Sequence, residues 1–440
     1  MKSKKVVLAG LALLAITGLL ALAGCKNDSV PETPAAKLVS ITVTPPTRTV
    51  YSVGQSFDPT GMVVTATYDD KSQREVTGLT TDFGTVAGKK GLNKPVTVSY
   101  TEGDTSKSDT FTVTVFPKEV KVLTGYTSPN NTGSKWTYVE FGEWPQTEAV
   151  GFKPTTTPQS HRIFVDNYYV EGNDKYVEKD GQYYKVEPIV WRVLTTSYKA
   201  PEGGTVGEIL LLAEKILTGG IPYYVDLNTR TITGAGTKEG EPDIVYPNNW
   251  QYSTIRAWLN GLDVVKSDDP LGNDKTYTNN GFLQTAFTAD AQSLIAATSV
   301  DNSAASTIPS GITDEDLESY WNSGENPYAS DTPTKDKIFL LSEQEATNSE
   351  YGFAAYDAYG KGSTRIRVTT DYATKATGAY QSSTPGYGGW WWLRSPYYHR
   401  EDYARVIDND GDARINIDRS IVYDARGGVV PALSISLGGN

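Results

Sequence analysis

Two segments near the C-terminus decide the fold of that part of the chain: Trp390-Trp391-Trp392-Leu393-Arg394-Ser395-Pro396 and Gly427-Gly428-Val429-Val430-Pro431-Ala432-Leu433. We call them the first and second flanking segments, because they enclose a polar insert, residues 397–426. Alternation along a strand buries Trp391 and Leu393 and turns Trp390 and Trp392 to the opposite face. Arg394 is expected to be a buried, paired structural arginine. The flanking segments therefore predict a scaffold that holds the insert.

The insert is rich in Tyr, Asp, Asn, Arg and His, a composition typical of recognition surfaces. Residues 403–407 and 413–417 predict two strands, with Ile415 and Ile417 facing inward. Arg414, Asn416 and Asp418 are expected to face outward. A solvated strand surface is the plain explanation for the outward polar residues, but their aromatic and charged character favours a bound protein or glycan. The candidate ligand contacts are Tyr397, Tyr398, His399, Asp402, Asn409, Arg414, Asn416, Asp418 and Tyr423.

The N-terminus predicts an export signal, because lysines at positions 2, 4 and 5 precede an apolar run over residues 6–21. The run is short for a transmembrane helix. Leu22-Ala23-Gly24-Cys25 resembles the bacterial lipobox. That resemblance implies a signal peptide over residues 1–24, a diacylated Cys25 and a lipidated tether over residues 25–36. We therefore expect a lipid-anchored protein of the bacterial cell envelope, at the outer membrane or cell surface.

Charge and cysteine content exclude several function classes. Cys25 is the only cysteine, so no intramolecular disulfide, cysteine nucleophile or cysteine-based metal site is expected. The net charge of -12 becomes -15 without the three signal lysines, which disfavours nucleic acid as a partner. Membrane attachment would then depend on the acyl chains.

Residues 37–117 predict a β-sandwich, because short strands of alternating polarity are separated by turns. The segments Ile41-Thr-Val-Thr-Pro45, Tyr51-Ser-Val-Gly-Gln-Ser-Phe57 and Gly61-Met-Val-Val-Thr-Ala-Thr-Tyr68 resemble a bacterial immunoglobulin-like domain. Such modules serve as stalks or adhesive units without catalysis. We expect a rigid spacer here.

Residues 118–440 contain all nine tryptophans and predict an α+β domain. Apolar patterns favour strands at 138–146, 188–194, 208–213 and 337–342, and a second helix within 282–297. A short helix at 253–260 is expected to be capped by Ser253. The segments that resemble an exported bacterial domain of unknown function are Phe141-Gly-Glu-Trp-Pro-Gln146, Pro188-Ile-Val-Trp-Arg-Val-Leu194, Ser253-Thr-Ile-Arg-Ala-Trp-Leu-Asn260, Phe282-Leu-Gln-Thr-Ala-Phe287, Lys337-Ile-Phe-Leu-Leu-Ser342, Trp391-Trp-Leu-Arg-Ser-Pro396 and Gly428-Val-Val-Pro-Ala-Leu433.

Catalytic motifs are absent from the sequence. His161 and His399 are the only histidines, and neither lies in a nucleophile, metalloprotease or phosphate-binding motif. Asp408 and Asp410 miss the calcium-loop pattern, because Ala413 and Arg419 stand where it needs glycine and an acid. We expect neither enzyme activity, nor a cofactor, nor a metal site. The alternatives are an envelope glycan hydrolase with a carboxylate pair and a structural envelope protein.

The insert between its flanking segments also resembles the variable C-terminal segment of C-type-lectin-fold proteins diversified by retroelements. There, a strand scaffold holds exchangeable side chains on one face. The resemblance implies a C-type-lectin-like fold for the second domain and a binding role for the insert.

Overall fold

A computed structural model describes residues 36–130, 136–159, 168–198, 208–232, 243–263, 277–278, 280–312, 326–354, 364–411 and 418–437. The predicted signal peptide, Cys25, nearly all of the tether and the contact candidates Arg414 and Asn416 lie outside the described residues, as does the predicted strand at 413–417. Among the described residues, no helix is long and apolar enough to span a membrane.

The first domain is a sandwich of two sheets, with strand orders β1-β3-β4 and β2-β7-β6-β5. The β1–β3 and β6–β7 pairs are antiparallel, whereas β2 runs parallel to β7. One helical turn, α1 (Phe83–Val86), packs Phe83 into the core between the sheets. The strands are β1 (Leu38–Thr44), β2 (Val50–Ser52), β3 (Val63–Tyr68), β4 (Gln73–Glu75), β5 (Thr80–Thr81), β6 (Gly91–Glu102) and β7 (Thr105–Phe116). The Ig-like sandwich expected from alternation is confirmed, and β3 alternates between half-buried and buried residues along its length.

The two domains are joined by a packed connection. Strand β8 (Lys121–Val122) follows the sandwich directly and pairs with the second domain. Ser52 of the sandwich donates its hydroxyl to the Val120 carbonyl at 2.6 Å and accepts the Val122 N–H at 2.8 Å. Both bonds are buried, so the strand that leaves the first domain is held at its base.

The second domain is built on an eight-stranded sheet. Its main path is β10-β11-β12-β13-β22-β18, while β9 pairs with β12 and β8 with β9. Every residue of β13 is buried, as expected for a strand covered on both faces. The strands are β9 (Tyr138–Glu148), β10 (Tyr168–Glu171), β11 (Asp174–Lys179), β12 (Gln182–Tyr198), β13 (Glu208–Ala213), β18 (Ile338–Phe339) and β22 (Ala432–Ser436). The strands predicted at 138–146, 188–194 and 208–213 are all present.

Short helices cover this sheet. Helix α2 (Thr254–Asn260) begins at Ser253, whose side chain accepts the Arg256 N–H as predicted. The helix predicted within 282–297 is instead two helices, α3 (Phe282–Ala286) and α4 (Ala289–Leu294), because Phe287 is extended and Thr288 caps the second helix. The strand predicted at 337–342 is shorter than expected, because Ser342 forms a capping box for α5 (Glu343–Ala346).

A separate three-stranded sheet, β19-β20-β21, holds the C-terminal insert. Its strands are β19 (Trp391–Pro396), β20 (Tyr403–Ile407) and β21 (Arg419–Ile421), so the strand predicted at 403–407 is present. Two small sheets pair β14 (Arg230–Thr231) with β15 (Ile244–Val245) and β16 (Thr298–Val300) with β17 (Thr334–Asp336). The fold is therefore β-rich, as expected.

Candidate functional site

The two flanking segments lie side by side. Trp391 forms a parallel bridge with Gly428, and the Trp392 N–H donates to the Gly428 carbonyl at 3.1 Å. Trp391 and Leu393 are buried as predicted, but Trp392 is buried as well, because Tyr223 packs on it with ring centroids 5.7 Å apart. Only Trp390 is partly exposed. The scaffold therefore encloses both faces of β19.

The paired glycines are required by this close packing. A Cβ atom on Gly427 would lie 2.1 Å from Trp392 Nε1, and one on Gly428 would lie 2.7 Å from Ile216 Cδ1. Neither distance is compatible with a side chain unless its neighbours move. The second flanking segment can therefore pack against the tryptophans only with glycine at positions 427 and 428.

Buried ion pairs lie beneath the insert. Arg405 of β20 forms a bidentate pair with Glu343 of α5, and Arg394 of β19 pairs with Glu345. Arg394 is thus the buried, paired arginine expected from the sequence. Arg405 and Glu343 are both almost inaccessible to solvent. These pairs join the insert and the first flanking segment to α5, which is remote in sequence.

Asp418 was predicted to face outward, and this prediction is wrong, because the residue is only 3% exposed. Its backbone carbonyl accepts the Val406 N–H at 3.2 Å. Burial raises the pKa of Glu343, against the effect of Arg405, and the nearby Asp418 carboxylate raises it further. Asp418 therefore belongs to the charged cluster under the sheet and cannot contact a ligand from solution.

Tyr397 is also a correction, because it is 4% exposed. The guanidinium of Arg419 lies 4.8 Å from its ring centroid, and the rings of Tyr398 and His399 lie 5.3 and 5.4 Å away. The Tyr397 N–H donates to the Tyr403 carbonyl at 3.0 Å. Tyr397 thus supports the turn between β19 and β20 and is not available as a ligand contact.

The remaining described candidates are at least partly exposed. Tyr398 is half-buried and packs against the exposed His399 with ring centroids 3.7 Å apart, and Tyr423 is 50% exposed. Asp402 is half-buried. Asn409 is half-buried but lies beyond the other end of β20, so the whole five-residue strand separates it from Asp402. The structure therefore brings together four of the candidates and separates Asn409 from them.

Two arginines missed by the sequence prediction flank this group. Arg400 forms a bidentate pair with Asp402 at 2.9 and 2.6 Å, and Arg426 forms one with Asp424 at 3.0 and 2.7 Å. Both guanidiniums are exposed, whereas the aspartates are largely covered. The sequence signal was the Arg-x-Asp and Asp-x-Arg spacing on either side of the two turns.

A backbone bond connects the two turns, since the Val422 N–H donates to the Asp402 carbonyl at 3.0 Å. Tyr380, 39% exposed, adjoins the same region, because its N–H donates to the Arg426 carbonyl. Four exposed residues, His399, Arg400, Tyr423 and Arg426, and the half-buried Tyr398 form a set that we call the tyrosine–arginine surface.

Electrostatics fix the charge states of this surface. Desolvation and the nearby Arg419 lower the pKa of His399, which favours its neutral imidazole. The hydrogen bond from Arg426 lowers the pKa of Asp424. In the described ranges no cluster of three or more histidine, cysteine or acidic residues is placed to hold a metal ion. The surface offers aromatic rings, fixed guanidiniums and a neutral imidazole.

The fold and this site define a two-domain, β-rich protein with an Ig-like domain ahead of a second, sheet-based domain. The chain belongs to the family of the domain of unknown function DUF6273, whose model matches residues 206–437. The model of the bacterial Ig-like domain, group 3, matches residues 44–115. No curated protein matches the chain. The predicted order of an Ig-like domain followed by a domain of unknown function is confirmed.

The matched family range begins within the eight-stranded sheet. It includes β13 and β22 but starts after β9 and β12. Strand β12 pairs with β9 on one side and with β13 on the other. The segments at 141–146 and 188–194 therefore lie outside the matched range, although their strands complete the same sheet.

Proposed function

We propose that the chain is a lipoprotein of the bacterial cell envelope whose second domain binds a protein or glycan ligand without catalysis. Acylation of Cys25 would anchor it at the outer membrane or cell surface. The tether and the Ig-like domain would then raise the second domain above the lipid. The observation that carries the proposal is the tyrosine–arginine surface, which is exposed on an insert clamped into the core by both flanking segments.

Preorganisation favours binding at this surface. The bidentate aspartates hold Arg400 and Arg426 in fixed orientations, so less side-chain entropy is lost when a ligand binds. Tyrosine supplies a large contact area with few rotatable bonds, and its ring face suits the apolar face of a sugar. Arg414 and Asn416 remain proposed contacts on the same insert.

The proposed arrangement is similar to that of C-type-lectin-fold variable proteins, in which a strand scaffold displays exchangeable residues. This similarity is supported by the burial of Arg405 and Glu343 beneath the sheet, while His399 and Tyr423 of the same insert are exposed to solvent. Sequencing the 3′ end of the gene from many isolates tests it. Changes concentrated in the codons for 397–426 are expected, and uniform variation would contradict diversification.

Binding is tested with the chain from residue 26 onward, fluorescently labelled and applied to glycan and host-protein arrays. We expect saturable binding to a restricted set of array members and no release of reducing sugar from envelope glycans. Reducing-sugar release would favour the carboxylate-pair hydrolase instead. Flat responses in both assays would contradict the proposal and favour a structural envelope protein.

A further inference from the structure

A cleft of about 220 Å³ lies in the second domain, apart from the C-terminal insert. Its floor is formed by β9, β12 and the residues that follow β13, and Tyr126 from the segment after β8 lines it as well. Three charged residues line the cleft, namely Glu140, Glu187 and Lys215. Sequence patterns could not identify it, because the three charges come from three separate segments.

The two glutamates are each held by one oxygen. Glu187 Oε2 accepts the Thr147 N–H at 3.1 Å and the Thr147 hydroxyl at 2.7 Å. Glu140 Oε2 accepts from Lys121 Nζ at 2.8 Å. In the part of the chain that the structure describes, neither Oε1 atom receives a hydrogen bond. Each carboxylate is therefore oriented, with one oxygen available to a donor in the cleft.

Lys215 carries the opposite charge. It is half-buried, and among the described residues its ammonium has neither a hydrogen bond nor an ion pair. Other partly covered lysines are paired, such as Lys175 with Glu143 at 2.7 Å and Lys185 with Asp174 at 2.9 Å. An ammonium with three donors and no acceptor is a site for an anionic group.

Glu140 is paired with Lys121, so Glu187 and Lys215 are the charges of opposite sign in the cleft that have no ion-pair partner among the described residues. A simple cation would face Lys215, and a simple anion would face two carboxylates, so neither satisfies all three groups. The remaining wall includes the apolar residues Val190 and Leu217. The volume is below the roughly 300–1,000 Å³ of pockets that take drug-sized ligands.

We propose that this cleft binds a free apolar α-amino acid as its zwitterion. The ammonium of the ligand donates to Glu140 and Glu187, its carboxylate accepts from Lys215, and its side chain contacts Val190 and Leu217. A peptide inside a longer chain offers neither terminal charge, and a peptide terminus offers only one. The site does not depend on the tyrosine–arginine surface, so either proposal can fail without the other.

The test is isothermal titration calorimetry of the chain from residue 26 with alanine, valine, leucine and phenylalanine. At least one is expected to bind with a Kd below about 1 mM. For the best of them, the amide lacks the carboxylate and the N-acetyl derivative lacks the ammonium. Each should bind at least about tenfold more weakly, since each loses a charge-assisted hydrogen bond. Absence of binding by all four, or equal binding of the amide, would overturn the proposal.

Variants locate the site. Lys215→Met should weaken binding of the amino acid at least about tenfold but change binding of the amide much less, because the neutral amide offers Lys215 no negative charge. Glu187→Gln should show the reverse selectivity, with the N-acetyl derivative unaffected. Lys335→Met is the matched control, because Lys335 is exposed on β17, away from the cleft. Equal losses in Lys215→Met and Lys335→Met would contradict the assignment.

Discussion

Replacing Gly427 by alanine tests whether the second flanking segment closes on the tryptophans as described. The added Cβ would lie 2.1 Å from Trp392 Nε1, 2.5 Å from Trp392 Cε2 and 2.8 Å from Trp390 Cη2. The Gly427 φ angle lies outside the left-handed range, so the cost is steric and not a backbone strain. Trp392 is fully buried and cannot rotate away without disturbing Tyr223. We expect a loss near the upper end of the 1–3 kcal/mol typical of overpacking, about 3 kcal/mol.

Tryptophan fluorescence in urea measures this loss selectively, because all nine tryptophans lie beyond residue 120 and the Ig-like domain has none. With a denaturant slope of about 2–3 kcal/mol per molar, the midpoint should fall by roughly 1–1.5 M. Gly84→Ala is the control, because a Cβ there meets nothing within 4 Å and lies in α1 of the first domain. The control should leave the tryptophan transition unchanged.

A second variant separates the clash from other effects of the substitution. Among the described residues Trp392 Nε1 has no hydrogen-bond partner, so Trp392→Phe removes no bond seen there while it makes room for the Cβ. Trp392→Phe should lower the free energy of unfolding by at least about 1 kcal/mol less in the Gly427→Ala background than it does in the unmodified chain. A Gly427→Ala loss under about 0.5 kcal/mol, or strict additivity of the two substitutions, would refute the packing argument.

Four further outcomes are expected. Arg405→Met leaves the Glu343 carboxylate buried without its partner and should cost about 3–5 kcal/mol in urea unfolding. Burial opposes ionisation of Glu214, but Arg367 and Arg192 outweigh this effect and lower the pKa of Glu214 below the usual 4.5. The ionised carboxylate therefore stabilises the fold fully above pH 4.5, and this stabilisation is lost as the pH falls through the lower pKa of the folded state. Glu214→Gln should remove this pH dependence when the unfolding midpoint is measured at a series of acid pH values. Ser253→Ala should cost about 1 kcal/mol, measured likewise, because α2 loses its cap. Cys25→Ser should abolish incorporation of labelled fatty acid in cells, whereas continued labelling would exclude Cys25 as the lipid site.

Local patterns predicted the elements that have one buried face or a clear cap. Strand β3 alternates in burial, and Ser253 begins α2, because these features depend on neighbours in sequence. The same reasoning predicted β20 and the buried Arg394. Strand length at residues 337–342 was overestimated, because the apolar run leads directly into a helix that Ser342 caps.

Long-range contacts explain the failures at the candidate site. Tyr397 and Asp418 look like surface residues by composition, but the pair formed by Arg405 and Glu343, 62 residues apart, draws polar groups beneath the sheet. Asn409 belongs to the same insert but lies at the far end of β20. Neither the burial of Tyr397 and Asp418 nor the separation of Asn409 follows from the local sequence, since both depend on where α5 and the turns pack.

The central claim, that the tyrosine–arginine surface binds the ligand, is tested most directly by comparing folding and binding in one set of variants. Tyr398→Ala, His399→Ala and Tyr423→Ala are combined, and the chain is titrated against its strongest array ligand. Exposed apolar residues elsewhere provide the control, with Val150→Ala and Leu227→Ala combined. We predict that the surface variant keeps its free energy of unfolding in urea within about 1 kcal/mol and loses at least about a hundredfold in affinity, while the control retains both. Unchanged affinity in the folded surface variant would contradict the account.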